Sequence, residues 1–251
     1  MEKYTNLERY ILQYADNNLI LGHRLSEWCG HGPVLEQDIA LTNIALDLIG
    51  LARNYYQYAA EITNRSSEDF YPYQRLEREF FNVLLVELPN VDFAYTIIRQ
   101  FLYDVFHYHF LQKLSHSKDS RLQAISLKSI KEVTYHVEFS TDWVLRLGDG
   151  TEESHQKTQN ALNDYFPFSS ELFNPSQTDN LMAASQIGVI LKDIQPVVQD
   201  KWKKVFQEAT LSIPSMDHFQ KNGKRGIHTE HMGKILAEMQ YLQRVYPDAT
   251  W

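Results

Sequence analysis

Apolar residues recur every three to four positions through most of this chain, the spacing of helices that each bury one stripe. The pattern predicts helices over 4–30, 35–63, 75–88, 91–116, 119–147, 153–166, 177–211 and 229–246, the seventh broken before Pro196. Turn-forming clusters separate them: "CGHGP", "TNRSSED", "LPN", "LGDG", "FNPS" and "NGKRG". No stretch alternates long enough for a strand, and no tandem repeat, low-complexity run or linker breaks the series. One all-α domain over 1–251 follows, with a bundle core at about 4–147 and peripheral helices at about 153–246. Besides the broken one, four helices exceed about 22 residues, twice the ordinary mean.

Composition narrows what such a bundle does. The chain has 251 residues, 43% hydrophobic and 13% aromatic, enough to bury a large core. Its net charge of −8 argues against a nucleic-acid backbone as partner, because that affinity comes from Lys and Arg releasing counterions. A single cysteine, Cys29 on the apolar side of the first helix, excludes a disulfide framework and a cysteine-based zinc site. "MEKYTNLERY" has no apolar leader core, and no run approaches the length of a membrane span. A cytoplasmic protein is expected.

Long helices with short connections form bundles, and bundle interiors are where carboxylate and histidine metal sites are built. The expected class is therefore a ferritin-like four-helix bundle with additional C-terminal helices. A di-iron centre in that fold takes one Glu from each of two helices and a Glu-x-x-His step from each of the other two. On 119–147 the predicted seam is Ile130, Val133, Val137, Val144 and Leu147. Val133 lies within about 20° of its centre and Glu132 about 115° away, with His136 at the shoulder. The residue facing the core three positions before His136 is thus a valine, which binds no metal, and Glu132 reads as a surface acid. The 35–63 helix has a face of Leu41, Ile44, Leu48, Leu51, Tyr55, Ala59 and Ile62 and no histidine. Asp104, about 40° from the centre of the seam Phe93, Ile97, Phe101, Val105 and Tyr108, is expected in the core beside His136, with His107 at the rim. Glu27 falls opposite the main seam of the first helix with Asp16 and His23, a surface or inter-subunit position unless the helix kinks near Gly22. Glu27, Asp104 and His136 leave a one-metal oxidase as a second reading, and a free-standing helical binding protein as a third.

Other motifs carry less. "GIHTEHMGK" spaces His228 and His231 by three, not the four a zinc-protease helix needs, and Thr229 reads as a helix N-cap. The loop with Lys221, Lys224 and Arg225, followed by His228, is a candidate contact for an acidic partner or a phosphate-bearing ligand. Tyr10, Tyr14, Tyr55 and Tyr56 are candidate interface aromatics.

Three stretches, "LSEWCGHGPVLEQDIALTNIALDLIGLARNYYQYAAE", "SIKEVTYHVEFSTDWVLRLGDGTEES" and "KNGKRGIHTEHMGKILAEMQYLQRVYPDATW", carry a likeness that runs essentially end to end. They resemble the non-catalytic, ferritin-like C-subunit family of bacterial phenylacetyl-CoA epoxidases, monooxygenases of aerobic phenylacetate breakdown. The resemblance implies a related catalytic A-subunit that carries the di-iron centre, a reductase subunit, and phenylacetyl-CoA as the substrate of the complex. The catalytic subunit reads Lys-Glu-Glu-x-x-His where this chain reads Lys131 to His136, so its ligand glutamate falls on Val133. Asp104 and Glu27 match two further ligand positions. Glu27, Asp104, Val133 and His136 are thus implied to be vestigial di-iron positions, with no cofactor in this chain and a structural role beside the active subunit.

Overall fold

The computed structural model describes residues 3–215, 221–247 and 249. Met1, Glu2 and the closing residues of the last quoted stretch lie outside the described residues. Among those described there are nine α-helices, four short 3₁₀ turns and no strand. None of the helices is long and apolar enough to cross a membrane. Contacts divide the chain into two compact units, Met1–Leu88 with Asn222–Trp251, and Pro89–Lys221.

In the first unit, α1 (Asn6–Ser26) opens on a capping box: Thr5 Oγ1 accepts from the Glu8 amide and the Glu8 carboxylate accepts from the Thr5 amide. It packs on α2 (Leu35–Thr63) at close range, since a Cβ on Gly22 would stand 2.8 Å from Ile49 Cγ1 and 3.1 Å from the Ala45 carbonyl oxygen. The glycine serves helix contact, and α1 continues through it. α2 has the predicted bounds and ends at Asn64 in the left-handed conformation. Leu41, Ile44, Leu48, Leu51, Tyr55 and Ala59 are buried as expected, whereas Ile62 is exposed.

The predicted helix over 75–88 does not form. After the single turn of α3 (Phe70–Tyr73) the chain runs largely extended, with 3₁₀ turns at Glu77–Glu79 and Leu84–Glu87. Its apolar run, Phe80, Phe81, Val83 to Val86 and Leu88, is fully buried, and a short buried run has no period to tell helix from extended chain. Side chains of α1 decide the matter by taking the backbone donors. The Phe81 amide donates to Asp16 Oδ2 at 2.8 Å and the Val83 amide to Asn17 Oδ1 at 2.8 Å.

Asp16, expected at the surface, is instead wholly buried, facing Arg75, also wholly buried. The aspartate accepts from both terminal nitrogens of Arg75, from Tyr56 Oη at 2.6 Å and from the Phe81 amide. The remaining guanidinium donors reach the Tyr71 carbonyl at 2.6 Å, the Glu79 carbonyl at 2.8 Å and Tyr56 Oη at 3.3 Å. Tyr10, Tyr14, Tyr55 and Tyr56 are likewise buried and are not interface residues. α9 (Glu230–Val245), capped by Thr229, closes the unit, with Gln240 donating to the Pro72 and Arg75 carbonyls at 2.8 and 3.0 Å.

In the second unit α4 (Phe93–Leu114) is central, buried at every position from Thr96 to His107. It packs on α5 (Ser120–Gly148), α6 (Glu152–Ser169) and α8 (Leu191–Glu208). Asp92 and Asp119 cap α4 and α5. Aromatic edges fill the interior, with Phe101 against Phe206 and Phe106 against Phe173 at centroid separations of 5.4 and 5.8 Å. The seventh predicted helix is two, α7 (Gln177–Ala184) and α8. The break falls at 185–190, where Gln186 is left-handed and Ile187 and Gly188 both donate to the Met182 carbonyl. Pro196 lies inside α8.

Removing one partner of a buried ion pair strands the other, at about 3–5 kcal/mol. Asp16→Ala is expected to destabilise the protein by that amount in urea or guanidinium unfolding, and Asp16→Asn by less, because its one amide oxygen still accepts from the Phe81 amide.

Candidate functional site

The predicted site residues divide between the units. Asp104, Val133 and His136 belong to the second, on the facing seams of α4 and α5; Glu27 belongs to the first. The buried seam of α5 is Leu122, Ile125, Ser126, Ser129, Val133, His136, Ser140, Val144 and Gly148, spaced by three or four apart from the adjacent pair Ile125 and Ser126. It is rotated from the predicted one, because inward serines do not score as apolar. His136 therefore lies at the seam's centre and not its shoulder, with Val133 one turn before it.

Asp104 is fully buried. Its Oδ1 accepts from Gln100 Nε2, one turn earlier on α4, at 2.6 Å. Burial pushes the carboxyl up to about 6, and the charge of His136 with the amide of Gln100 keeps it from rising further. The structure thus brings Asp104 and His136 together, as expected. His107, expected at the rim, is buried because α4 is covered all round. Burial, then the charge of His136, pulls its imidazole down to about 3, so it is neutral in the folded protein at ordinary pH. The Ser140 hydroxyl is committed to the His136 carbonyl at 2.8 Å. Gln100 is a site residue that the sequence reading lacks, although a Gln–Asp pair four residues apart on one helix is a legible signal.

This donor set does not fit two irons. The seam offers one carboxylate and one central imidazole, an apolar side chain stands where the Glu-x-x-His step needs its acid, and α2 carries no histidine. Glu27 follows the last turn of α1, exposed and ion-paired with Arg24 at 2.7 Å, which matches the surface reading. Among the described residues no three His, Cys, Asp or Glu side chains gather to hold a metal ion. A hollow of about 410 Å³ opens between α4, α5 and α8, lined by Val105, Tyr108, Val137 and Val197 with Lys201 and Lys204. Asp104, Val133 and His136 do not line it.

The basic loop is only partly a surface. Lys221 and Arg225 are exposed, whereas Lys224 is buried. Two glycines let the loop cross the 78–82 backbone: a Cβ on Gly223 would stand 2.2 Å from the Asn82 carbonyl oxygen, and one on Gly226, at φ +75°, 2.2 Å from that of Arg78. The His228 side chain is buried and faces inward, with Nδ1 3.0 Å from Glu87 Oε2 and Nε2 3.0 Å from the Phe80 carbonyl oxygen. Both neighbours only accept, so both ring nitrogens carry hydrogen and the ring is an imidazolium. Glu87 also accepts from the Thr229 amide at 2.7 Å and Asn82 Nδ2 at 3.2 Å. The expected ligand contacts therefore narrow to Lys221 and Arg225; Lys224 and His228 are structural. Cys29 is exposed beyond the end of α1 rather than on its apolar side.

A family model described as "Phenylacetic acid catabolic protein" matches residues 1–251. The chain is 46% identical over 245 residues to the C-subunit of 1,2-phenylacetyl-CoA epoxidase from Escherichia coli (strain K12), covering 98% of this chain and 99% of that protein.

Two titrations test these placements. A carboxyl raised to about 6 takes up its proton in the folded state first, so its contribution to stability falls as pH rises from about 4 to above 6. His107, lowered to about 3, contributes the opposite slope. The difference between proteins is therefore the observable: Asp104→Asn should gain about 2 kcal/mol on the wild type between pH 4 and 8 in urea unfolding. For His228, burial lowers the imidazole, but Glu87, the Phe80 carbonyl and the charge of Asp16 outweigh it and hold it above its ordinary value. That stabilisation is full below about pH 6.5 and is lost as pH rises through the folded value. His228→Gln should be less stable at pH 6 and converge on the wild type at alkaline pH.

Proposed function

This chain belongs to the phenylacetic acid catabolic protein family, and from that premise we propose that it is the C-subunit of a phenylacetyl-CoA epoxidase, a structural component held against a related di-iron catalytic subunit. The fold is all-α and of the ferritin-like helical type. The observation that carries the assignment is the identity of 46% over nearly the full length of both chains. Its partners are the other members of the complex, first the catalytic A-subunit and then the reductase, in the cytoplasm.

A structural role is supported by the α4–α5 seam. Activating oxygen at two irons needs several carboxylates that share the metals' charge. Here the one carboxylate of the seam is held by Gln100 and keeps its proton to a higher pH than an ordinary aspartate, and Val133 stands at the next ligand position. The residues keep the place of a metal centre but serve packing. The complex epoxidises the aromatic ring of phenylacetyl-CoA at the partner's irons, while this chain supports the partner's helices.

Reconstitution tests the reading. The purified chain with reductase, an electron donor and phenylacetyl-CoA should form no epoxide and carry well under one iron per chain; adding the catalytic subunit should restore turnover in a stable complex. Near-stoichiometric iron in this chain, or full turnover by the catalytic subunit alone, would overturn it.

A further inference from the structure

While one face of α2 packs within the first unit, its other face carries a second apolar run. Leu35, Ile39 and Leu46 are 71%, 51% and 61% exposed, and Val34, just before the helix, is 53% exposed. Thr42 and Ile49, both half-buried, the latter at the edge where α2 meets Gly22 of α1, continue the line to exposed Arg53. The positions 35, 39, 42, 46, 49 and 53 advance by four and three in turn, the spacing of a coiled-coil seam. At about 1.5 Å per residue the run extends about 27 Å along the helix. Single exposed apolar residues need no explanation, but a run of this length in register does.

Gly50 adds an independent observation. It is exposed in the middle of α2, where glycine weakens a helix relative to alanine. A Cβ there would meet nothing within 4 Å, so contacts within the chain do not require the glycine. Its lack of a side chain matters only if something outside the chain comes close at that point.

We infer that the outer face of α2, from Leu35 to Arg53 with Gly50 at its flank, docks an α-helix of a different subunit. The inference rests on the proposed structural role. The spacing selects the occupant's shape, because side chains repeating every 3.5 residues interlock with another helix. Charge selects its chemistry. Exposed Glu36 stands in the first turn of the run, and the complementary helix carries a basic residue opposite it, whereas Asp38 is held by the Gly32 amide. A second copy of this chain meets that demand poorly. The base on its own seam is Arg53, which already donates to Glu68 at 3.1 Å.

The test measures affinity for the co-expressed catalytic subunit, using the wild type, Leu46→Glu and Gly50→Gln, with Leu127→Glu on exposed α5 as control. The α2 variants should bind at least about tenfold more weakly, while their free chains melt as the wild type does and the control binds normally. Variants within about twofold of a binding wild type, or an equal loss at Leu127→Glu, would overturn the surface and leave the structural role standing. A wild type that ignores the catalytic subunit would sink that role and the surface with it. Self-association of the wild-type chain that Leu46→Glu abolishes would make a second copy the occupant and also overturn the inference.

Discussion

A charge removed from water must be met by protein groups, and the first unit is organised around meeting one such charge. Asp16 and Arg75 are buried together, and the guanidinium donors reach the carboxylate, two backbone carbonyls and the hydroxyl of Tyr56. The pair fixes the path of residues 75–83 across α1, since the Phe81 amide ends on the same carboxylate. α9 then closes over that path through Gln240, whose amide meets the Arg75 carbonyl. Glu87 repeats the logic nearby, with an imidazolium and a backbone amide as its donors.

Asp104 in the second unit is the contrasting case. Gln100 gives it a neutral amide, and the nearby imidazole of His136 acts through its charge. Such a carboxyl gives up its proton less readily than an ordinary aspartate, the opposite of what a shared metal ligand requires. The difference between Asp16 and Asp104 is the difference between a charge the fold is built on and one it merely accommodates. On the proposed reading, Asp104 is what remains when ligand positions around it have turned apolar.

Much of this is legible in the sequence, and the failures share a cause. Long helices with regular period, such as α2 and α5, form within a residue or so of their predicted bounds. Val133 and Asp104 lie in the core, as their seams predict. Periodicity assumes one buried stripe per helix, and errors arise where that fails. α4 is covered on all sides, so His107 is buried where its angle predicts a rim. α1 buries polar residues opposite its apolar stripe, so Asp16 is interior where its angle predicts water. Residues 75–88 find their donors' partners in side chains far along the chain, which no local pattern records. The tyrosines expected at an interface fill the interior, while the exposed line on α2 is masked in the sequence by the stronger period of its buried face.

The loop at Gly223 and Gly226 brings in the last stretch of the first unit, which comprises Met1–Leu88 and Asn222–Trp251. The intervening Pro89–Lys221 is contiguous and can fold as soon as it leaves the ribosome, whereas the unit begun first is completed last. Until residues 222–245 are made, Glu87 waits without His228, and the surface that α9 will cover stays open. Nascent chains stalled before residue 222 would then present a finished middle and an unfinished beginning, the state in which a chaperone would find the most to hold.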